Sequence, residues 1–199
     1  SRKIFKGNDK FHKIIQFKNF LNTSKKISPF IWHDTTDESE SKKKIKTNGP
    51  FIAVSPYSNW KEKDWAIEKY FELFKNDIFK DYTIIFTGIS KDIPNREKFF
   101  KMIDDSSLNI FNLFDWGNLR HMIPIFNQCK FFIGSDSGLM HLAASTNCKT
   151  FALFGPTNEI VYGPWGDHKV IKSLDYPAID DPLNLPVEKV LNIIKKEMG

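Results

Sequence analysis

The sequence predicts an α/β domain built on a doubly wound, Rossmann-like parallel sheet, and three observations lead to this prediction. From Phe51 onward, short apolar runs rich in strand-forming residues alternate with segments of helical periodicity. Glycine, proline and small polar residues separate these segments, as expected for turns. The 199 residues are 41% hydrophobic, so one domain of ordinary size can bury a substantial core.

The predicted strands are short and mostly apolar. They are Phe51–Ser55, Thr83–Thr87, Leu108–Phe111, Phe131–Gly134, Thr150–Phe154 and Lys169–Ile171. Between the first two strands, apolar residues from Trp65 to Phe74 recur at helical spacing. Pro94 is suited to open the next helix, another helix follows Gly138, and Pro186 opens the last one.

Residues 1–50 differ from the remainder of the chain. One amphipathic stretch, Phe11 to Leu21, is predicted to form a helix. The run from Asp34 to Asn48 is polar, has no hydrophobic period and ends at Gly49-Pro50, which predicts a linker or exposed loop. The expected organisation is an interdomain helix with a loop in residues 1–50, followed by the α/β domain in residues 51–199.

Composition argues against several classes of protein. No run of about 18 apolar residues is present to span a membrane, and Ser1 to Lys6 lack the features of a signal peptide. Cys129 and Cys148 have no metal-type spacing, so neither a disulfide framework nor a zinc site is expected, and a reducing, cytoplasmic setting is the default. The net charge of +5 suits an anionic partner, but arginine is too scarce for base readout of nucleic acid.

Four predicted strands end in small, polar or glycine-bearing segments. These are Pro56-Tyr57-Ser58-Asn59, Gly88-Ile89-Ser90, Gly134-Ser135-Asp136-Ser137-Gly138 and Gly155-Pro156-Thr157. Because ligands of doubly wound sheets bind beyond the carboxyl ends of the strands, these segments are the expected site of an extended polar ligand.

The segment from Phe131 to Ala144 predicts a strand, a tight turn and a helix whose N-terminus can meet an anion. Asp136 or Ser137 can cap this helix, Gly138 permits close approach of a phosphate, and His141 can donate a hydrogen bond to it. In the competing interpretation, Asp136 is only a cap and His141 packs locally. Lys63 is suited to offset the charge of a departing diphosphate, although most lysines in this position are solvated.

These segments, in this order, resemble glycosyltransferase family 9, the ADP-heptose:lipopolysaccharide heptosyltransferases. The family pattern has a Pro-Gly-rich segment with Trp, Lys-x-Trp, a glycine at the second strand end, Asp-(Thr/Ser)-Gly-x-x-His-x-x-Ala and (Leu/Tyr)-(Phe/Tyr)-Gly-Pro-Thr. Here the corresponding residues are Pro56 with Trp60, Lys63-Asp64-Trp65, Gly88, Asp136 to Ala144, and Leu153 to Thr157. The resemblance extends from Phe51 to the C-terminus and is weak in residues 1–50.

The resemblance implies a set of donor-binding residues. They are Ser58, Asn59, Lys63, Gly88, Asp136, Ser137, Gly138, His141 and Thr157. Lys63 matches the family's phosphate-binding lysine, His141 the histidine close to the diphosphate, and Asp136 the aspartate near the sugar or phosphate. A family glutamate that contacts the ribose falls after Gly88, where Asp92, Asn95 and Glu97 are open alternatives. Tyr57 replaces a usually small residue and is expected to narrow the site.

The resemblance also implies an activity. The family has a GT-B architecture, in which an acceptor-binding domain precedes the donor-binding domain, and this chain corresponds to the second of these. The implied reaction is inverting transfer of a sugar, heptose from ADP-heptose, to a lipopolysaccharide core acceptor without a metal or cofactor. The general base is expected in the absent N-terminal domain, so this chain alone is expected to bind the donor without turnover.

The implied partners are the nucleotide-sugar donor and a lipopolysaccharide or lipid-linked acceptor, with no nucleic acid. The implied location is the cytoplasm, and peripheral contact with the inner face of the cytoplasmic membrane is compatible with it. Two other functions stay open at this point. One is a non-catalytic module that binds nucleotides or sugar phosphates, and the other is an enzyme like the nucleotide-sugar epimerases, which needs additional acid/base carboxylates in this half.

Overall fold

The structure, a computed structural model, describes residues 7–46, 49–173 and 183–199, and in these residues six parallel strands form one sheet. The strands are β1 (Phe51–Ser55), β2 (Thr83–Gly88), β3 (Ile110–Phe114), β4 (Cys129–Ser135), β5 (Lys149–Phe154) and β6 (His168–Lys172). Their order across the sheet is β3-β2-β1-β4-β5-β6. The order reverses between β1 and β4, so these two strands form the topological switch point at which doubly wound sheets bind ligands.

Helices cover both faces of the sheet. The α-helices of the described residues are α1 (Lys13–Phe20), α2 (Thr35–Lys44), α3 (Ile67–Phe74), α4 (Arg96–Asp104), α5 (Leu119–Phe126), α6 (Gly138–Ala144), α7 (Glu159–Tyr162) and α8 (Val187–Met198). In β1, Ile52 and Val54 join the core that contains α3, α4 and α8, whereas Phe51 and Ala53 join the core that contains α5 and α6. Successive side chains of this fully buried strand thus pack alternately into two cores. The predicted doubly wound fold is confirmed.

The strands at the switch point approach each other closely because of one glycine. Gly134 pairs with Ser55 across β1 and β4. A Cβ atom built on Gly134 lies 2.5 Å from the backbone carbonyl oxygen of Ser55, well inside van der Waals contact. A side chain at this position therefore forces the two strands apart at the edge where their loops begin.

Five of the six predicted strands agree with the structure to within two residues at each end, and the third does not. The sequence placed it at Leu108–Phe111, whereas β3 runs from Ile110 to Phe114. Most of this strand is only half buried, because it lies at the edge of the sheet. Its weak apolar pattern explains the shift. Helix α5 was not predicted, and Pro124 inside it weakens the helical signal.

The prediction of a linker or loop from Asp34 to Asn48 is wrong for most of its length, since α2 occupies Thr35–Lys44; residues 47 and 48 lie outside the described residues. Asp34 and Asp37 form a capping box at the start of the helix. The guanidinium of Arg120 binds both carboxylates, at 2.9 Å from Asp34 and 2.6 Å from Asp37. The hydroxyl of Ser41 donates to the carbonyl of His121 at 2.7 Å. The helix docks on α5 through polar contacts, so it carries no hydrophobic period. The domain boundary at residue 50 stays a prediction.

We predict that Gly134→Ala destabilises the fold by about 1–3 kcal/mol, because overpacking at a backbone–backbone contact has few ways to relax. Gly138→Ala is the matched control, since a Cβ atom there meets nothing within 4 Å. Urea unfolding of both variants measures the difference. Equal stability of the two variants would contradict the close approach at the switch point.

Candidate functional site

A cavity of about 580 Å³ lies at the carboxyl ends of β1, β2, β3 and β4, over the topological switch point. Four chain segments line it: Ser55 and Tyr57 to Asn59 after β1, Thr87 to Ile89 with Asp92 after β2, Asp115 to Leu119 with Met122 after β3, and Ser137 to Leu139 after β4. The apolar side chains of Ile89, Leu119 and Met122 lie on the β2–β3 side, and polar side chains line both sides of the cavity. The cavity therefore suits a ligand that has both apolar and polar parts.

The β2 side of the cavity depends on Gly88. Its φ of +153° is unfavourable for other residues, and a Cβ atom there lies 2.8 Å from the ring of Phe114. The carbonyl of Gly88 accepts a hydrogen bond from the N–H of Asp115. The carboxylate of Asp115 in turn accepts the N–H of Ser90 at 2.8 Å, and this bond lowers the pKa of Asp115. The loops after β2 and β3 thus form one hydrogen-bonded wall.

The β1 side of the cavity is formed by the loop from Pro56 to Trp60, and hydrogen bonds of Ser58 hold the conformation of this loop. The N–H of Ser58 donates to Asp64 Oδ1 at 2.8 Å, and the hydroxyl of Ser58 donates to the carbonyl of Trp60 at 2.8 Å. The ring of Tyr57 packs edge-on against Phe99, with ring centroids 5.6 Å apart, and lines the cavity. Burial raises the pKa of the Tyr57 hydroxyl, so this side chain stays neutral.

Asp64 is a buried carboxyl, with 9% of the residue exposed. Its Oδ1 atom accepts the Ser58 N–H, whereas its Oδ2 atom is buried with no hydrogen-bond partner in the part of the chain that the structure describes. Burial raises the pKa of Asp64 to about 7, against the hydrogen bond to Ser58, which lowers it. The charges of Asp92 and Glu62 raise the pKa further.

Asp136 joins three loops beside the cavity. Its Oδ2 atom lies 2.9 Å from the ammonium of Lys63 and accepts the hydroxyl of Thr157 at 2.8 Å. The side chain of Asp136 is only 7% exposed and that of Lys63 16%. Lys63 also lies over the ring of Trp60, 5.2 Å from its centroid. An ammonium has three N–H donors, so Lys63 retains donor capacity beyond its bonds to Asp136.

His141 lies at the same cluster, with Nε2 3.8 Å from Asp136 Oδ1. Partial burial lowers the pKa of His141 despite the opposing effect of Asp136, and the charges of His12 and Lys63 lower it further. His141 is therefore neutral near pH 7 and offers a hydrogen bond rather than a charge. Its distance from Asp136 is too long for a hydrogen bond, so the ring is available to another acceptor.

Ser137, rather than Asp136, caps α6, with its hydroxyl accepting the N–H of Met140 at 3.4 Å. The sequence left both residues open as the cap. The carboxylate of Asp136 instead points to Lys63 and Thr157. Gly138 and Leu139 line the cavity, and as the first helical residues they have no intrahelical acceptor for their N–H groups.

The predicted site residues form two adjoining groups. Ser58, Asn59, Gly88, Ser137 and Gly138 line the cavity, whereas Lys63, Asp136, His141 and Thr157 form the cluster beside it. Asp136 and Ser137 are consecutive, so the two groups are continuous. This arrangement brings Lys63 and His141 to the same carboxylate.

Of the three alternatives for the ribose contact, only Asp92 lines the cavity. Asn95 caps α4 by accepting the N–H of Lys98, and Glu97 lies in the first turn of that helix. Sequence reasoning missed the segment from Asp115 to Leu119. Its polar, glycine-bearing composition matches the other three loops. It went unnoticed because the third strand was placed too early in the chain.

Neither a metal site nor a membrane span is found in the described residues. Over residues 7–46, 49–173 and 183–199, no group of three or more His, Cys, Asp or Glu side chains is arranged to hold a metal ion. Over the same ranges, no helix combines the length and the hydropathy needed to cross a bilayer.

Comparison with known proteins identifies the relatives of this chain. The profile of the family described as "Glycosyltransferase family 9 (heptosyltransferase)" matches residues 14–182. Lipooligosaccharide heptosyltransferase 2 of Haemophilus influenzae is 26% identical over 153 residues, which are 73% of this chain and 44% of that protein. Lipopolysaccharide heptosyltransferase 2 of Escherichia coli K12 is 26% identical over 151 residues, 71% of this chain and 43% of that protein.

Solved structures show the same fold. A family 9 glycosyl transferase from Veillonella parvula superimposes with a TM-score of 0.81 at 18% identity, covering 94% of this chain and 60% of that one. The E. coli ADP-heptose LPS heptosyltransferase II gives a TM-score of 0.73 at 22% identity, covering 88% of this chain and 55% of that one. The chain thus spans about half the length of the relatives that it matches.

We predict that the buried Asp64 makes folding stability fall as pH rises from about 4 to about 7. Across this window the folded state binds the proton more tightly than the unfolded state, so the free energy of unfolding decreases with pH. The decrease is up to about 4 kcal/mol for a shift of this size. Urea unfolding at several pH values measures it.

Asp64→Asn, which keeps an acceptor for the Ser58 N–H, removes this contribution. The difference in stability between Asp64→Asn and the parent protein should grow through the same window. Parallel stability curves for the two proteins would show that Asp64 ionises normally in the fold.

Proposed function

Because the chain belongs to glycosyltransferase family 9, the heptosyltransferase family, we propose that its cavity binds the nucleotide-sugar donor of a sugar-transfer reaction. The observation that carries the proposal is the position of the motif residues. They surround one cavity and its adjoining cluster at the switch point of the sheet, although they come from separate loops. We propose ADP-heptose as the donor, in line with the substrate named for the E. coli structural relative.

The apolar and polar groups that line the cavity fit the parts of such a donor. The apolar side chains of Ile89, Leu119 and Met122 receive the flat base, and the carboxylate of Asp92 accepts hydrogen bonds from ribose hydroxyls. The diphosphate extends past Ser58 and Gly138 toward the Asp136 cluster. This orientation places the most negative part of the ligand next to Lys63.

Each polar residue then has a separate role at the diphosphate. Asn59 supplies its side-chain amide, and the N–H groups at Gly138 and Leu139 donate to phosphate oxygens. The hydroxyl of Thr157 donates to Asp136 and acts by holding that carboxylate in place. Lys63 supplies charge through the donors that Asp136 does not use, and neutral His141 adds a hydrogen bond. Asp136 orients Lys63 and Thr157 and keeps the site electrically balanced before the anion arrives.

The proposed reaction of the whole protein is inverting transfer of the sugar. An acceptor hydroxyl oxygen bonds to the anomeric carbon while the bond from that carbon to the diphosphate breaks, and a general base takes the hydroxyl proton. Lys63 and the N–H donors stabilise the charge on the departing diphosphate, so no metal is required. We propose that the general base does not belong to this chain. The chain by itself therefore binds the donor without turning it over.

The proposed acceptor is the lipopolysaccharide core, as the names of the curated relatives suggest. A lipid-linked acceptor and a cytosolic donor imply that the protein acts at the cytoplasmic side of a membrane, in peripheral contact with it.

We predict that Lys63→Met weakens ADP binding about tenfold or more, because a hydrogen bond to a charged group contributes roughly 1.5–3 kcal/mol. Titration calorimetry on the purified chain measures the affinity. Lys61→Met is the matched control, since Lys61 is an exposed lysine on the same short helical turn. Equal ADP affinity of the two variants would remove Lys63 from the site.

A second variant separates binding from folding. Lys63→Met leaves the buried carboxylate of Asp136 without its ion-pair partner, which by itself lowers stability. Adding Asp136→Asn removes the unpaired charge, so the double variant regains thermal stability without regaining ADP affinity. Recovery of both properties would mean that Lys63 acts only through the fold.

A further inference from the structure

Asp64 is a buried carboxyl that lies behind the wall of the site. It has no role in the proposed chemistry. It does not line the donor cavity but reaches it through one contact, the 2.8 Å hydrogen bond from the Ser58 N–H. Its second oxygen is buried with no hydrogen-bond partner in the described part of the chain. Burying a carboxyl oxygen without a hydrogen bond costs free energy that a smaller or apolar residue at this position would not cost.

The loop above Asp64 is held at two points from below. The hydroxyl of Ser135, at the end of β4, donates to the carbonyl of Pro56 at 3.4 Å, and Asp64 accepts the N–H of Ser58. Ser135 and Asp64 are both buried. These two hydrogen bonds, together with the bond from the Ser58 hydroxyl to Trp60, fix the backbone of the loop. The fixed part is the one in which Ser58 and Asn59 line the cavity.

We propose that Asp64 is a positioning residue of the donor site: it accepts the Ser58 N–H and keeps Ser58 and Asn59 directed at the diphosphate. This role rests on the proposed donor-binding function. Because Asp64 lies directly behind the loop that meets the diphosphate, donor affinity also depends on the charge of a residue that does not touch the donor.

The surroundings of Asp64 favour its uncharged form. The charged and titratable groups around it are Tyr57, Lys61, Glu62, Lys63, Glu68, Tyr70, Asp92 and Lys98. Lys63 is committed to Asp136, and Lys98 pairs with Glu68. Burial, together with Asp92 and Glu62, already raises the pKa of Asp64 to about 7.

A bound diphosphate brings further negative charge to the other side of the Ser58 loop. Like charges disfavour each other's ionised forms, so the diphosphate raises the pKa of Asp64 further. By linkage, protonated Asp64 favours the donor, and donor binding near pH 7 takes up a proton. Affinity therefore decreases as pH rises through about 7.

ADP-glucose is the probe for this inference, because its diphosphate diester has no proton that titrates near neutrality. Titration calorimetry between pH 5.5 and 8.5, in buffers that differ in ionisation enthalpy, measures both affinity and proton uptake. We expect the parent protein to lose about tenfold in affinity across this range. Asp64→Asn keeps the low-pH affinity at every pH, and Asp64→Ala binds weakly at every pH.

Glu72→Gln is the matched control, since Glu72 is an exposed carboxylate on α3 whose charge is not among those that raise the pKa of Asp64, and it should leave the pH profile unchanged. Any pH dependence that persists in Asp64→Asn belongs to another group of the site, such as His141. A pH profile of Asp64→Asn identical to that of the parent protein would overturn the linkage.

Amide hydrogen exchange without any nucleotide gives an independent result. The Ser58 amide should be protected in the parent protein and in Asp64→Asn, and should exchange faster in Asp64→Ala. Unchanged protection in Asp64→Ala overturns the positioning role. Failure of the parent protein to bind either ADP-glucose or ADP overturns the proposed function and this role with it, whereas binding that Asp64→Ala leaves intact overturns this role alone.

Discussion

The carboxylate of Asp136 is the contact on which the site depends, because it joins loops that are distant in sequence. It follows β4, accepts the hydroxyl of Thr157 after β5, and pairs with Lys63 after β1. A buried ion pair is favourable only when its geometry is good and its remaining donors and acceptors are satisfied. Here one carboxylate oxygen receives two donors, which ties the three loops into one rigid unit next to the cavity.

This pairing also determines how the site attracts an anion. The charge of Lys63 is balanced within the chain, and His141 is neutral, so the cluster carries no large excess of positive charge. Attraction for a diphosphate therefore comes from the directed N–H donors of Lys63, His141 and the start of α6 more than from net charge. Such donors stabilise a developing negative charge without reorganising, which is the property that a site for a departing diphosphate requires.

The sequence was sufficient to predict the fold and to identify the motif residues. Short, nearly continuous apolar runs made β1, β2 and β4 identifiable, and the polar tips of their loops indicated the ligand edge. Features with weak local signals were missed. Helix α2 is polar all round because it docks on Arg120, and β3 is a half-buried edge strand, so the loop after it was overlooked. The pairing of Lys63 with Asp136 and the burial of Asp64 are tertiary properties that no local pattern encodes.

The central claim is that a sugar diphosphate binds at the carboxyl edge of the sheet between the loops after β1 and β4. Backbone amide chemical shifts during titration with an ADP-sugar test it most directly. The account predicts that the largest changes fall on Ser58, Asn59, Gly88, Ser137 and Gly138. Changes centred on Phe74, Tyr82 and Asn109, which line a cavity of about 210 Å³ at the opposite edge of the sheet, would contradict it.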